Sequence, residues 1–297
     1  MNAHLLIGHQ SGRIVNTTEP IDALKPILTA HLYPQLEKKL VDLLRTLTPA
    51  DWERQTVAPR WKIKDVAAHL LDTQLRKLSL VRDKYFPPAS DSVPHGDLVA
   101  LINRLNQQGV DQYRRLSPEV LISLMEVASR ESSEFHQSLD PFADAVFAVS
   151  WAGELRSPNW FDTARELTER WHHQQQIRLA LNQDGIMTPE FYHPVLDCFM
   201  RALPYHYQNV SRAPGSMARF TISGDCGGDW YLHRDGEAWR LAAQPLQSTK
   251  AHTTIPQEIA WRIFTKGMDR EAAKAQVTVT GDQELGLHVL TMLSIVG

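Results

Sequence analysis

The hydrophobic period of this chain changes once, near Gly185. Upstream, apolar residues recur at spacings of three and four; downstream, short alternating runs sit between glycine-rich turns. Leu36, Leu40, Leu43, Leu44 and Leu47 mark a helix over residues 21–47 that ends at Thr48-Pro49. A second helix is expected over 62–85, before Pro87-Pro88, and a third over 96–116. Ser117-Pro118-Glu119 restarts a helix to about residue 139, with serine as the cap and proline in the first turn. A further helix over 160–181 closes at Asn182-Gln-Asp-Gly185. Long helices without a strand pattern predict an α-helical bundle over residues 20–185, preceded by an irregular arm over 1–19.

After Gly185 a helix over 189–207 leads into three alternating runs, 217–223, 229–234 and 238–242. Gly224-Asp225, Gly227-Gly228 and Asp235-Gly236 supply the turns between and beside them. A helix over 256–266 ends at Gly267 as its C-cap, a strand covers 276–280, and a last helix runs to about 295. Residues 186–297 are therefore expected to form a smaller α+β domain, making the chain α + (α+β) overall.

Composition narrows the functional classes. With 297 residues and 43% hydrophobic content the chain suits a soluble globular protein. A net charge of −3 gives no basic field for nucleic acid. No apolar run reaches the length of a membrane span, and the short apolar start lacks a preceding basic residue, so neither membrane insertion nor a signal peptide is expected. The two cysteines, Cys198 and Cys226, form no CxxC and no disulfide framework. That pattern favours a reducing cytoplasm and packing roles for both thiols.

One constellation carries chemistry. Glu169 and His173 stand four apart on the 160–181 helix, about 40° apart around its axis, so a carboxylate and an imidazole share one face. His69, on the 62–85 helix, can add a second imidazole. Such a His₂-carboxylate set leaves a fourth position open, as catalytic rather than structural zinc sites do. Spacing alone leaves alternatives. Glu-x-x-x-His is also an ordinary surface pair. His172 competes with His173, since an i, i+3 pair serves in di-metal bundles. Asp65, one turn before His69, reads either as a carboxylate orienting an imidazole or, more simply, as a helix-start cap. Trp52 and Trp61 read as packing residues, and His31, His136, His206 and His288 show no partner pattern.

Trp61-x-x-x-Asp65-x-x-x-His69, preceded by Leu47-Thr-Pro-Ala-Asp51-Trp52, resembles the amino-terminal domain of the mycothiol-dependent maleylpyruvate isomerase family, within the wider DinB-like metal-binding helical bundles. The segment Thr163 to Arg178, with Glu169-Arg-Trp-His-His173 at its centre, resembles the same family. The resemblance implies a four-helix-type bundle followed by a sterol-carrier-like carboxy-terminal domain. It picks His173 over His172, giving His69, Glu169 and His173 as ligands of a divalent metal, zinc first. It implies a low-molecular-weight thiol as co-substrate and a small electrophilic substrate. The activity implied is isomerisation of maleylpyruvate-like compounds or S-transfer. A non-catalytic metal-binding bundle and a metal-dependent hydrolase are the alternatives. The family's second-domain arginine has no secure match among Arg219, Arg234 and Arg240.

Overall fold

The computed structural model describes residues 24–86 and 98–295; the expected arm over 1–19 lies outside them. The helices are α1 Tyr33–Arg45, α2 Pro49–Trp52, α3 Ile63–Lys77, α4 Leu98–Tyr113, α5 Pro118–Ser138, α6 Asn159–Leu181, α7 Pro189–Met200, α8 Leu203–His206, α9 Gln257–Phe264, α10 Arg270–Lys274 and α11 Gln283–Leu287. The strands are β1 Met217–Ser223, β2 Gly228–Asp235, β3 Ala238–Ala242, β4 Ala251–Pro256 and β5 Thr278–Gly281. α1, α3, α5 and α6 form the bundle, with α4 laid against the outer side of α3.

Several boundaries differ from the sequence reading. α1 begins at Tyr33, because Pro34 fits the first helical turn and Pro26 disfavours helix in the residue before it. The helix expected over 189–207 breaks after Met200, where Pro204 lacks an N–H and restarts the short α8. α9 stops at Phe264. The left-handed residue there is Lys266 (φ 62°), and Gly267 donates its N–H to the Arg262 carbonyl at 2.7 Å. The last helix ends at Leu287 and tightens into a 3₁₀ turn, His288–Thr291.

The sheet has the order β3-β2-β1-β4-β5. β1 pairs antiparallel with β2 and parallel with β4, and β4 pairs antiparallel with β5. β4 was invisible in the sequence, since its inward residues are Ala251, Thr253 and Ile255. Thr253 is fully buried only because its hydroxyl donates to the Gly286 carbonyl at 2.9 Å.

The change of period at Gly185 is not a break in the core. One apolar cluster runs from Leu32, Tyr33 and Leu36 through Phe161, Leu167 and Trp171 to Phe191, Phe199, Phe220, Trp261 and Val289. Trp171 stacks on Tyr192 with ring centroids 4.3 Å apart and planes 3° from parallel, and donates its indole N–H to the Ile186 carbonyl. The Tyr192 hydroxyl in turn donates to the Gln257 carbonyl and accepts the Trp261 N–H. A second cluster, including Leu40, Leu44, Ile63, Val66, Leu70, Leu121, Met125 and Ile177, fills the other end of the bundle.

α6 lies between these parts, and sixteen of its 23 residues are buried, many of them polar. Burial on that scale demands partners. Lys77 Nζ sits 2.6 Å from Asp162 and 3.3 Å from Glu166, and Arg165 pairs with the same two carboxylates. Arg170 meets Glu37 at 3.0 Å, while Gln74 and Ser129 donate to the other Glu37 oxygen. Burial works against ionisation of Asp162 and Glu166, but Lys77 and Arg165 outweigh it and hold both carboxyls below their ordinary values.

Arg170→Met would leave Glu37 buried without its cation. It should destabilise the fold by about 3–5 kcal/mol in chemical denaturation, with Glu37→Leu added to it restoring much of the loss. The depressed carboxyls set a pH dependence. Their contribution is fully present above the unfolded values of about 4 and is lost as pH falls toward the lower folded values. Thermal stability should therefore decline below about pH 4, and Lys77→Met should shift that decline to higher pH.

Candidate metal centre

α3 and α6 run antiparallel and bring together residues that are about a hundred positions apart. Their facing sides place His69, Glu169 and His173 with one potential ligand atom each, all within 4.8 Å of one another. This is the set of three named from the sequence, and the described residues contain no other such cluster. His173 Nε2 lies 3.6 Å from Glu169 Oε2. Two ligands on a tetrahedral ion with bonds of about 2.0–2.2 Å stand roughly 3.4 Å apart, so the spacing suits a small cation.

His69 is 2% exposed, and its Nδ1 finds no hydrogen-bond partner among the described residues. An orphaned buried nitrogen is costly unless something satisfies it. Burial, reinforced by His173, Arg76 and His172, holds this imidazole well below its ordinary pKa, which keeps it neutral and able to donate a lone pair. Burial also opposes the charge on Glu169. His173, 3.6 Å away, together with His172 and Arg165 more than offsets it, and the carboxyl is held low. Two neutral nitrogens and one carboxylate oxygen fit zinc and the neighbouring divalent transition metals. The donor set therefore matches the implied group.

His172, the rival ligand, is turned away from this role at one nitrogen. Its Nδ1 donates to the Thr168 carbonyl at 2.9 Å, and burial and His173 push its pKa down to about 4. Its ring lies against that of His173, with centroids 3.9 Å apart.

Asp65 is placed elsewhere. Its Oδ2 accepts the Lys62 N–H at 3.0 Å as the helix-start cap, and its Oδ1 pairs with Arg114 at 2.9 Å. These contacts are those of the helix-start cap, the simpler of the two readings, and no hydrogen bond joins Asp65 to an imidazole among the described residues. Trp61 is the converse case. Read as a packing residue, it forms a wall of the cluster, 4.7 Å from the His69 ring and 5.8 Å from that of His173. Its position just before α3, in the segment that bridges Gln55 to Lys62, turns the indole over the first turns of that helix. Gln176 was also missed; its Oε1 lies 3.0 Å from His173 Nδ1, and its i+3 spacing from the histidine was the available signal.

The thiols and strand arginines stand apart from this chemistry. Cys198 and Cys226 are free and buried, and burial pushes both pKa values up. Neither is an activated nucleophile. Arg219 forms a bidentate pair with Asp229, Arg234 lies over Trp239, and Arg240 pairs with Asp235, so all three are engaged within the sheet.

Two solved structures are similar to this chain: the mycothiol-dependent maleylpyruvate isomerase, at 10% identity and a TM-score of 0.47, and a histidine-to-alanine mutant of it, at 11% and 0.46. Each likeness covers 84% of this chain and 91% of the other. No curated protein matches the chain. The family model of the mycothiol maleylpyruvate isomerase N-terminal domain matches residues 33–178, which span α1 to α6 and include His69, Glu169 and His173. The match sets the bundle of this chain, residues 33–178, with the mycothiol maleylpyruvate isomerase N-terminal domains.

Proposed function

We propose that this protein is a metal-dependent enzyme that uses a low-molecular-weight thiol to isomerise, or transfer sulfur to, a small electrophilic substrate. The observation that carries the reading is the convergence of His69, Glu169 and His173 inside a bundle of this family. The three side chains would hold one divalent metal, zinc first, and leave a coordination position open. A metal so held supplies Lewis acidity, which lowers the pKa of a thiol or polarises a carbonyl at that position.

The protein's own residues define the rest. Glu169 is the most exposed of the three, with 24% of its side chain accessible, so a small molecule reaches the cluster from its side. Trp61 covers the imidazole faces and limits water there. With no activated cysteine in the chain, the sulfur nucleophile has to come from a second small molecule, which is why a thiol co-substrate is assigned. The assignment of residues 20–185 to the bundle and 186–297 to the α+β part belongs to the same proposal. The apolar core shared between them makes the full chain the unit to assay.

Protein purified without a histidine tag should carry about one zinc or other divalent ion per chain by elemental analysis. His173→Ala should abolish that binding and His172→Ala should preserve most of it; the reverse would assign the i+3 pair instead. Assays with several small thiols against maleylpyruvate and simple electrophiles should show turnover that needs both thiol and metal and is lost on chelation. Metal-dependent hydrolysis with no thiol requirement, or metal binding without turnover of any of them, would overturn the enzyme assignment.

A further inference from the structure

Of the two imidazoles in the cluster, only His173 has a hydrogen-bond partner at Nδ1. Gln176, three residues on along α6, places Oε1 3.0 Å from His173 Nδ1. Both side chains are buried, at 5% and 7% exposure, so water is a poor substitute for the contact. A carboxamide oxygen only accepts hydrogen bonds, so the contact requires a proton on Nδ1. The neutral ring then carries its lone pair on Nε2, the atom that faces Glu169. His172 does not compete for the amide, because its own Nδ1 is spent on the Thr168 carbonyl. His69 has no equivalent partner for Nδ1 and is located by packing against Trp61.

We infer that Gln176 is a positioning residue that holds His173 in the Nδ1–H tautomer and so presents Nε2 to the metal. The inference rests on the metal reading for its consequence but not for its geometry. A glutamine can serve in two ways. Turned over, its NH₂ would donate to Nδ1 and force the ring proton onto Nε2, where it would block coordination. The observed orientation selects the productive tautomer, and an ionised glutamate, which only accepts, would enforce the same one.

Side-chain ¹⁵N NMR on the metal-free full-length protein, at alkaline pH where imidazoles are neutral, reads the tautomer directly. The native protein and Gln176→Glu should show His173 protonated at Nδ1. Gln176→Leu should lose that preference. In zinc titrations Gln176→Leu should bind about 10–100-fold more weakly, while Gln176→Glu stays within a few-fold of the native protein. An Nε2–H tautomer in the native protein overturns the inference without recourse to any variant. So does a leucine variant that keeps the Nδ1–H form or the native zinc affinity. If the native protein shows the Nδ1–H form yet binds no divalent metal, the metal reading fails while the role of Gln176 in fixing the ring stands.

Discussion

The buried cation Lys77, held between Asp162 and Glu166, fixes how α3 lies along α6, and the candidate site depends on that register. Eight residues separate His69 from Lys77, about 12 Å along α3; seven separate Asp162 from Glu169 and Glu166 from His173, about 10.5 Å along α6. The antiparallel helices therefore keep nearly equal distances between their two points of contact. Sliding α3 by a turn would carry His69 away from its partners and leave the buried Lys77 cation unpaired, with Asp162 and Glu166 held by Arg165 alone. A buried ion pair adds little net stability over an apolar substitute, but breaking one costs about 3–5 kcal/mol. The penalty for misregister is thus larger than the reward for register, and it acts where the ligands need it.

α6 meets two different demands along its length. Its Trp171 face joins the shared apolar core through Tyr192 and Trp261. Its Arg170 face reaches Glu37 and Ser132 across the bundle. Glu169 and His173 lie between them, on the side that α3 covers only in part. A helix packed on nearly all sides has few ways to tilt or rotate, which suits a residue pair that must hold a fixed spacing. Trp61 and Gln176 complete the constraint from outside the ligand set, one against the ring faces and one at the far nitrogen.

Much of this was legible in the sequence because it is local. Ser117-Pro118, Thr48-Pro49 and Asn182 announced helix ends through caps and a left-handed residue, and β1 and β3 fell on their alternating runs. Glu169 and His173 could be paired because helical geometry fixes i, i+4 neighbours whatever the fold. His69 could be added only by family resemblance, since no local rule relates it to residues a hundred positions on. β4 escaped notice because its threonine is made tolerable by a carbonyl from the distant helix α11.

The sequence by itself determined the periodicities, the caps and the shared face of Glu169 and His173, since each follows from backbone geometry over a few residues. Tertiary structure alone decided that His69 meets them, that Asp65 is spent on a cap and on Arg114, and that Trp61 and Gln176 surround the imidazoles. It also decided that Gly185 divides the pattern but not the core. Those outcomes depend on which helices pack together and at what register, and burial and charge pairing across the whole chain set both.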